Sequence, residues 1–121
     1  GLVGSEMCIR DSLNVDENCD FDMENDVVGT RDMTLSDELD EWVLENAFKG
    51  NGEVRSGGNG LNVYMRVPVY DPDTGRPRSI KSETGKLRRF ASGLLKDKGY
   101  TVSEKAASGQ YIQLLIQNSR E

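Results

Sequence analysis

The chain has 121 residues, of which 36% are hydrophobic and 30% charged, so it suits one small domain with a modest core. It has no apolar run near the roughly 20 residues that span a bilayer, and no basic start followed by an apolar block. The sequence therefore predicts neither a membrane helix nor a secretory signal. Its two cysteines, Cys8 and Cys19, do not suggest a disulfide framework, so a reducing, cytoplasmic setting is expected.

The net charge of −6 is divided unevenly along the chain. From Leu13 to Glu45 there are 12 acidic residues and one basic residue, Arg31, which gives a net charge of −11. From Asn46 to Glu121 there are 13 basic and 7 acidic residues, which gives +6. This division is typical of an acidic tail on a polyanion-binding domain, and equally of two halves that attract each other.

The first twelve residues are set apart from the rest of the chain. The stretch Leu2–Ser12 resembles, without a gap, the in-frame translation of a transposase-type sequencing adapter. The resemblance implies that residues 1–12 are an artefact, that the true start of the gene is missing, and that Cys8 carries no chemistry.

An acidic segment follows over residues 13–32. Asp16, Asn18 and Asp20 match the first three ligand positions of a calcium-binding loop. However, Phe21 stands where the loop requires glycine, and Val27 where it requires the bidentate glutamate. We therefore expect a solvated, disordered acidic arm without a metal, in which Cys19 has no role.

The first predicted helix runs from Thr34 to Phe48. Thr34 or Ser36 can cap it, and acidic residues in its first turn suit the helix dipole. Its apolar positions have helical spacing and form one side; they are Leu35, Leu39, Trp42, Val43 and Ala47.

Residues 50–60 contain five glycines, a composition also found in phosphate-binding loops. No Gly-Lys-Ser/Thr ending is present and no helix follows, so a flexible, hairpin-forming loop is the preferred interpretation. The alternation from Leu61 to Tyr70 predicts a strand, residues 71–75 a turn, and Arg76 to Ile80 a short returning strand.

The last third predicts a helix and two strands. Leu87, Phe90, Ala91, Leu94 and Leu95 have the spacing of one buried helical stripe. Strands are expected at residues 100–102 and 111–117, with a turn at 107–109. The sequence thus predicts one α+β domain over 33–117 with a frayed tail at 118–121. We expect two helices packed on a three- to four-stranded antiparallel sheet, in the order α-β-(β)-α-β-β.

Two surface features point to a function. The first is a run of basic residues from Arg76 to Lys98. These residues either bind phosphates or simply form a solvated face. The second is the polar side of the strands, where tyrosines and an arginine would suit stacked bases or cross-strand pairs. The predicted nucleic-acid contacts are Arg66, Arg76, Arg78, Lys81, Lys86, Arg88, Arg89, Lys96, Tyr64 and Tyr111.

The leading prediction is therefore a non-catalytic domain that binds nucleic acid, with single strands among the candidates, and with little sequence preference. The order of elements from Leu87 to Gln117 is similar to that of the small toxin ribonucleases of toxin–antitoxin pairs. Those enzymes depend on a histidine and this chain has none, so neither an enzyme nor a cofactor is predicted.

The alternative is a protein-interaction or assembly module of phage type, with a protein partner or self-association through opposite charges. A first helix lying over the tyrosines would block stacking, whereas one beside the basic helix would favour neutralisation within the chain.

Overall fold

The computed structural model describes residues 6–57, 60–71, 73–108 and 110–119, without the side chains of Ile80, Lys81 and Thr84. The fold is α+β: two helices, a five-stranded mixed sheet and a two-stranded hairpin. In chain order the elements are β1 (Glu6–Val15), β2 (Val27–Val28), β3 (Met33–Thr34), α1 (Leu35–Asn46), β4 (Gly52–Gly57), β5 (Gly60–Pro68), α2 (Ile80–Leu95), β6 (Tyr100–Ser108) and β7 (Tyr111–Asn118).

The five-stranded sheet has the strand order β4-β5-β1-β7-β6, so its first strand in sequence lies at its centre. β1 runs antiparallel to β5 and parallel to β7, and the outer pairs are antiparallel hairpins. Leu13 of β1 therefore lies between Leu61 and Leu114. The prediction of an α+β fold with two helices is confirmed. The sheet is larger than expected and mixed because β1 joins its two hairpins.

Both helices pack on the same face of this sheet. Thr34 caps α1 by accepting the Asp37 N–H, and Ser79 caps α2 by accepting the Ser82 N–H. The Trp42 and Phe90 rings stack 5.7 Å apart, which joins the two helices side by side. The core lies between helices and sheet, and its fully buried side chains include Leu35, Leu39, Val43, Leu61, Val63, Leu87, Ala91, Leu95, Leu114 and Ile116.

The structure differs from the sequence prediction at the N-terminal end. The predicted disordered arm over 13–32 instead contributes Leu13, Cys19, Phe21, Met23 and Val28 to the core. These apolar residues lack a regular period, but they are spaced closely enough for an irregular acidic loop to fold back over the core. The domain therefore begins before residue 33.

Residues 6–12, expected to lie outside the domain, form most of β1. Backbone pairing in a strand depends little on which side chains the strand carries. The resemblance of Leu2–Ser12 to a translated adapter therefore stays a prediction, and no functional proposal below uses a side chain from that stretch.

The boundaries of other elements also differ from the sequence prediction. Gly52–Gly57 is a strand rather than a loop, and residues 58–59, which follow it, lie outside the described part. Arg76 to Ile80 does not form a strand: Pro77 bridges to Tyr70, and α2 already begins at Ile80. Gly109 of the predicted 107–109 turn lies outside the described residues, as do 120–121 of the predicted tail.

Candidate functional site

The second face of the sheet carries the polar side chains that alternate with the buried ones. Val63 and Met65 are buried beneath the helices, whereas Tyr64 is half-buried and Arg66 exposed on the other side. Tyr111 and the residues that alternate with Ile112 and Leu114 likewise lie away from the helices. We call this surface the open face; among the described residues it carries Asn62, Tyr64, Arg66, Tyr111, Gln113, Leu115 and Gln117, with Arg55 at its edge.

A row of side chains crosses three strands of the open face. Arg10 of β1 pairs with Tyr64 of β5 on one side and with Tyr111 of β7 on the other. The backbones of the two tyrosines are therefore two strand spacings apart, which is about 10 Å. Tyr70, expected on the same face, lies beyond the end of β5 in its bridge to Pro77.

The Tyr111 ring is held in place by its neighbours. Its hydroxyl donates to Ser12 Oγ at 3.1 Å and accepts from Gln113 Nε2 at 3.0 Å. These two hydrogen bonds, with a further contribution from Arg10, lower the pKa of Tyr111 below its ordinary value. The Arg10 guanidinium lies 4.0 Å from the ring centroid, a cation–π distance.

Tyr64 lies among charged side chains at the β4 side of the sheet. The Arg55 guanidinium is 5.3 Å from the Tyr64 ring centroid and also pairs with Glu53. Arg66 donates to Glu6 at 2.6 Å, and this hydrogen bond raises the pKa of the Arg66 guanidinium. A depression of about 540 Å³ adjoins this region and is lined in part by Asn51, Tyr64 and Arg66.

Sequence reasoning missed Arg55, because the glycines around it indicated a loop. The signal that could have found it is the alternation of Glu53 and Arg55 about Val54, in a segment that follows an Asn-Gly pair. Such an alternation is typical of a strand with one exposed face.

The predicted basic contacts lie on a different surface from the tyrosines. Arg88, Arg89 and Lys96 are on α2 or directly after it, and the apolar stripe of α2 packs against the sheet. Arg89 and Lys96 are exposed on the outer side of the helices, and half-buried Arg88 lies on the flank of α2, so the core separates all three from Tyr64. The ten predicted residues do not form one continuous site.

Two of the remaining basic residues, Arg78 and Lys86, are explained by local structure. Arg78 is half-buried and donates to Glu83 at 3.0 Å, with Asp71 at 3.7 Å. Lys86 lies 3.4 Å from the same buried Glu83 carboxylate. Arg76 is exposed in the loop before α2, and the Lys81 side chain lies outside the described residues. The Asp71–Arg78–Glu83–Lys86 cluster fixes the start of α2 and is structural.

The first helix lies beside the basic helix and leaves the open face uncovered. Its outward carboxylates nevertheless do not neutralise α2: within the described part of the chain, no ion pair joins an acidic residue of α1 to a basic residue of α2. Instead, Arg31 pairs with Glu38 and Glu41. Partial burial and the nearby Asp37 raise the pKa of Asp40.

The described residues contain neither a cluster of metal ligands nor a membrane-spanning helix. No group of three or more His, Cys, Asp or Glu side chains is arranged to hold a metal ion, the acidic residues 16–26 included. Neither described helix has the length and apolar character needed to cross a membrane.

Comparison with known proteins gives the family. A model described as a domain of unknown function, DUF6175, matches residues 8–116, and the chain belongs to that family. No curated protein and no solved structure matches the chain significantly. Membership identifies the family, and the function must be inferred from the surfaces of the molecule.

Proposed function

We propose that the open face of this DUF6175 domain binds single-stranded nucleic acid, without catalysis and with little sequence preference. One observation carries the proposal: Tyr64, Arg66, Tyr111 and Arg55 share a sheet face that both helices leave uncovered. A single strand needs this combination, because its bases present stacking surfaces and its phosphates attract arginine.

The two tyrosines would have different parts in binding. Tyr64 is the better stacking platform, because Arg55 can leave its ring for a phosphate while a base takes its place. Tyr111 accepts a hydrogen bond from Gln113, so its ring offers a preorganised surface. With about 10 Å between their backbones, the tyrosines would hold two bases of an extended strand rather than two adjacent stacked ones.

The basic residues of the helices have a secondary place in this proposal. Arg88, Arg89 and Lys96 cannot contact the same strand, since they lie on the opposite layer of the domain. Their positive charge would act at long range only, as a salt-dependent attraction during encounter.

Fluorescence anisotropy with labelled single-stranded DNA and RNA, at two salt concentrations, tests the proposal. Tyr64→Ala should weaken binding about 5- to 100-fold, the usual range for one lost stacking interaction. Arg66→Ala should weaken it less and should lower the salt dependence by about one phosphate contact. Absence of binding at low salt would refute the proposal.

Arg88→Ala with Arg89→Ala is the matched control, because it removes two positive charges from the opposite layer. We expect a change below about threefold, from long-range attraction alone. If this pair abolishes binding and Tyr64→Ala does not, the open face is not the interface.

The charge division of the helices favours a second function, protein interaction or assembly. It involves the other layer of the domain and can coexist with binding on the open face.

A further inference from the structure

We propose that the outer sides of α1 and α2, called here the helix layer, join two copies of this chain in a symmetric dimer. The proposal is independent of nucleic-acid binding, because the helix layer and the open face lie on opposite sides of the domain. The occupant of the helix layer is a second copy of the chain, which the charges of the layer, its exposed leucine and two-fold symmetry favour.

The helix layer has one acidic and one basic half. On α1 the outward residues Asp37, Asp40 and Glu45 are exposed, and the helix has no basic residue at all. On the neighbouring α2, Arg89 and the following Lys96 are exposed. These residues have no ion pair among the described contacts. Each half thus retains charge that a complementary surface could neutralise.

The acidic half also carries an exposed leucine. Leu44 is 64% exposed, the highest value among the large hydrophobic side chains described, and it lies within one turn of Asp40 and Glu45. An isolated exposed leucine is common, but here a groove of about 330 Å³ is lined both by α2 and by the loop from Gly29 to Arg31. Phe90 and Leu94 give the groove an apolar side, and its charged lining residues are Arg31, Glu38, Asp97 and Lys98. Apart from the chain neighbours of Gly93 and the backbone of its own helix, no atom lies within 4 Å of the position that a Cβ on Gly93 would occupy, so the groove is open there.

Symmetry makes the second copy the natural occupant. A two-fold interface brings the same patch of both copies together, so the patch must be complementary to itself. A patch with adjacent acidic and basic halves meets this condition, because rotation by 180° places acidic on basic twice. The same operation offers each Leu44 to the groove of the other copy. A surface of one sign would repel its own copy.

Sedimentation analysis of the full chain at low and high salt tests the proposal, with two charge-reversed variants. The basic-reversed variant carries Arg89→Glu and Lys96→Glu, and the acidic-reversed variant carries Asp40→Lys and Glu45→Lys. In a dimer of either variant alone, charges of the same sign would face each other, so we expect each variant to be monomeric. An equimolar mixture should form a heterodimer, because opposite charges meet again at both contacts.

A matched control separates this interface from general charge effects. Arg76→Glu with Lys105→Glu has the same net charge as the basic-reversed variant, but changes exposed residues outside the helix layer. It should dimerise like the unchanged chain. Leu44→Ala should weaken the dimer about a hundredfold, because both copies lose a buried leucine contact worth about tenfold each.

Two results would overturn the proposal. One is a monomeric unchanged chain at low salt and high protein concentration. The other is a mixture of reversed variants that associates no more strongly than each does alone. Neither result bears on nucleic-acid binding, which Tyr64→Ala tests separately on the open face.

Discussion

Replacing Leu13 with alanine tests whether the residues before α1 belong to the folded core. Leu13 is fully buried between Leu61 and Leu114 at the centre of the sheet. The change removes three carbon atoms, worth about 0.8 kcal/mol each in transfer from water, and leaves a cavity that neighbouring strands can fill only in part. We therefore expect the free energy of unfolding to fall by about 3–4 kcal/mol, a large part of a small domain's stability.

Urea unfolding followed by tryptophan fluorescence measures this change. Trp42 is the only tryptophan, and its buried indole stacks on Phe90, so its emission reports the packing of the two helices. Leu44→Ala at high salt is the control, since an exposed leucine should change the stability by less than about 0.5 kcal/mol. If Leu13→Ala costs less than about 1 kcal/mol with an unchanged denaturant slope, β1 is not part of the core and the disordered-arm prediction stands.

Three further changes test single features, each by urea unfolding. Glu83→Ala should destabilise the domain by about 2 kcal/mol, because half-buried Arg78 loses its closest carboxylate; an unchanged midpoint would show that Asp71 suffices. Gly60→Ala should cost about 2–3 kcal/mol, because the added Cβ would overlap the Leu13 carbonyl; a neutral result would mean that the strands separate easily there. Asp71→Ala should destabilise the domain at pH 7 but not near pH 2. Equal losses of unfolding free energy at both pH values would contradict a stabilising role for the ionised Asp71 carboxylate. Hydrogen bonds from the two backbone N–H groups of residues 73 and 74 lower the pKa of Asp71, so its contribution is present above the unfolded-state pKa of about 4 and is lost as the pH falls through the lower folded value.

The elements that were predictable from sequence are those with a sustained period. The alternation from Leu61 to Val67 and the helical spacing from Leu87 to Leu95 each specify a buried side, and both predictions are confirmed. The apolar alternation of Leu13 and Val15 covers only two positions, which is too short a pattern to predict the strand β1. Its pairing is also non-local: β1 meets β7 about a hundred residues later, which no local pattern reports.

The candidate site was predictable in part for the same reason. Because strand side chains alternate, Tyr64, Arg66 and Tyr111 could be assigned to one face before the structure was known. The separation of this face from Arg88 and Arg89 depends on how the helices pack over the sheet. Periodicity gives the buried side of each element, but it does not show which exposed sides are neighbours.

The last prediction concerns Asp11 and the stretch that resembles a translated adapter. Asp11 is 1% exposed and occupies a core position of β1, between Val63 and Ile112. A carboxylate there conflicts with the apolar residues on either side, because ionised groups lose hydration on burial and their partners rarely repay it fully. In natural sequences the residue at each position usually suits its environment. A chance translation of an adapter would therefore explain why a carboxylate stands at this core position.

Asp11→Val continues the apolar pattern of Ile9, Leu13 and Val15, and should stabilise the domain at pH 7, because the hydration that the carboxylate loses on burial exceeds what its contacts return. The matched control is Ser12→Val, which adds an apolar side chain on the other side of the same strand and should not stabilise comparably. If Asp11→Val destabilises the domain, the carboxylate is held by interactions worth more than its hydration, and β1 has the side chains that this fold requires.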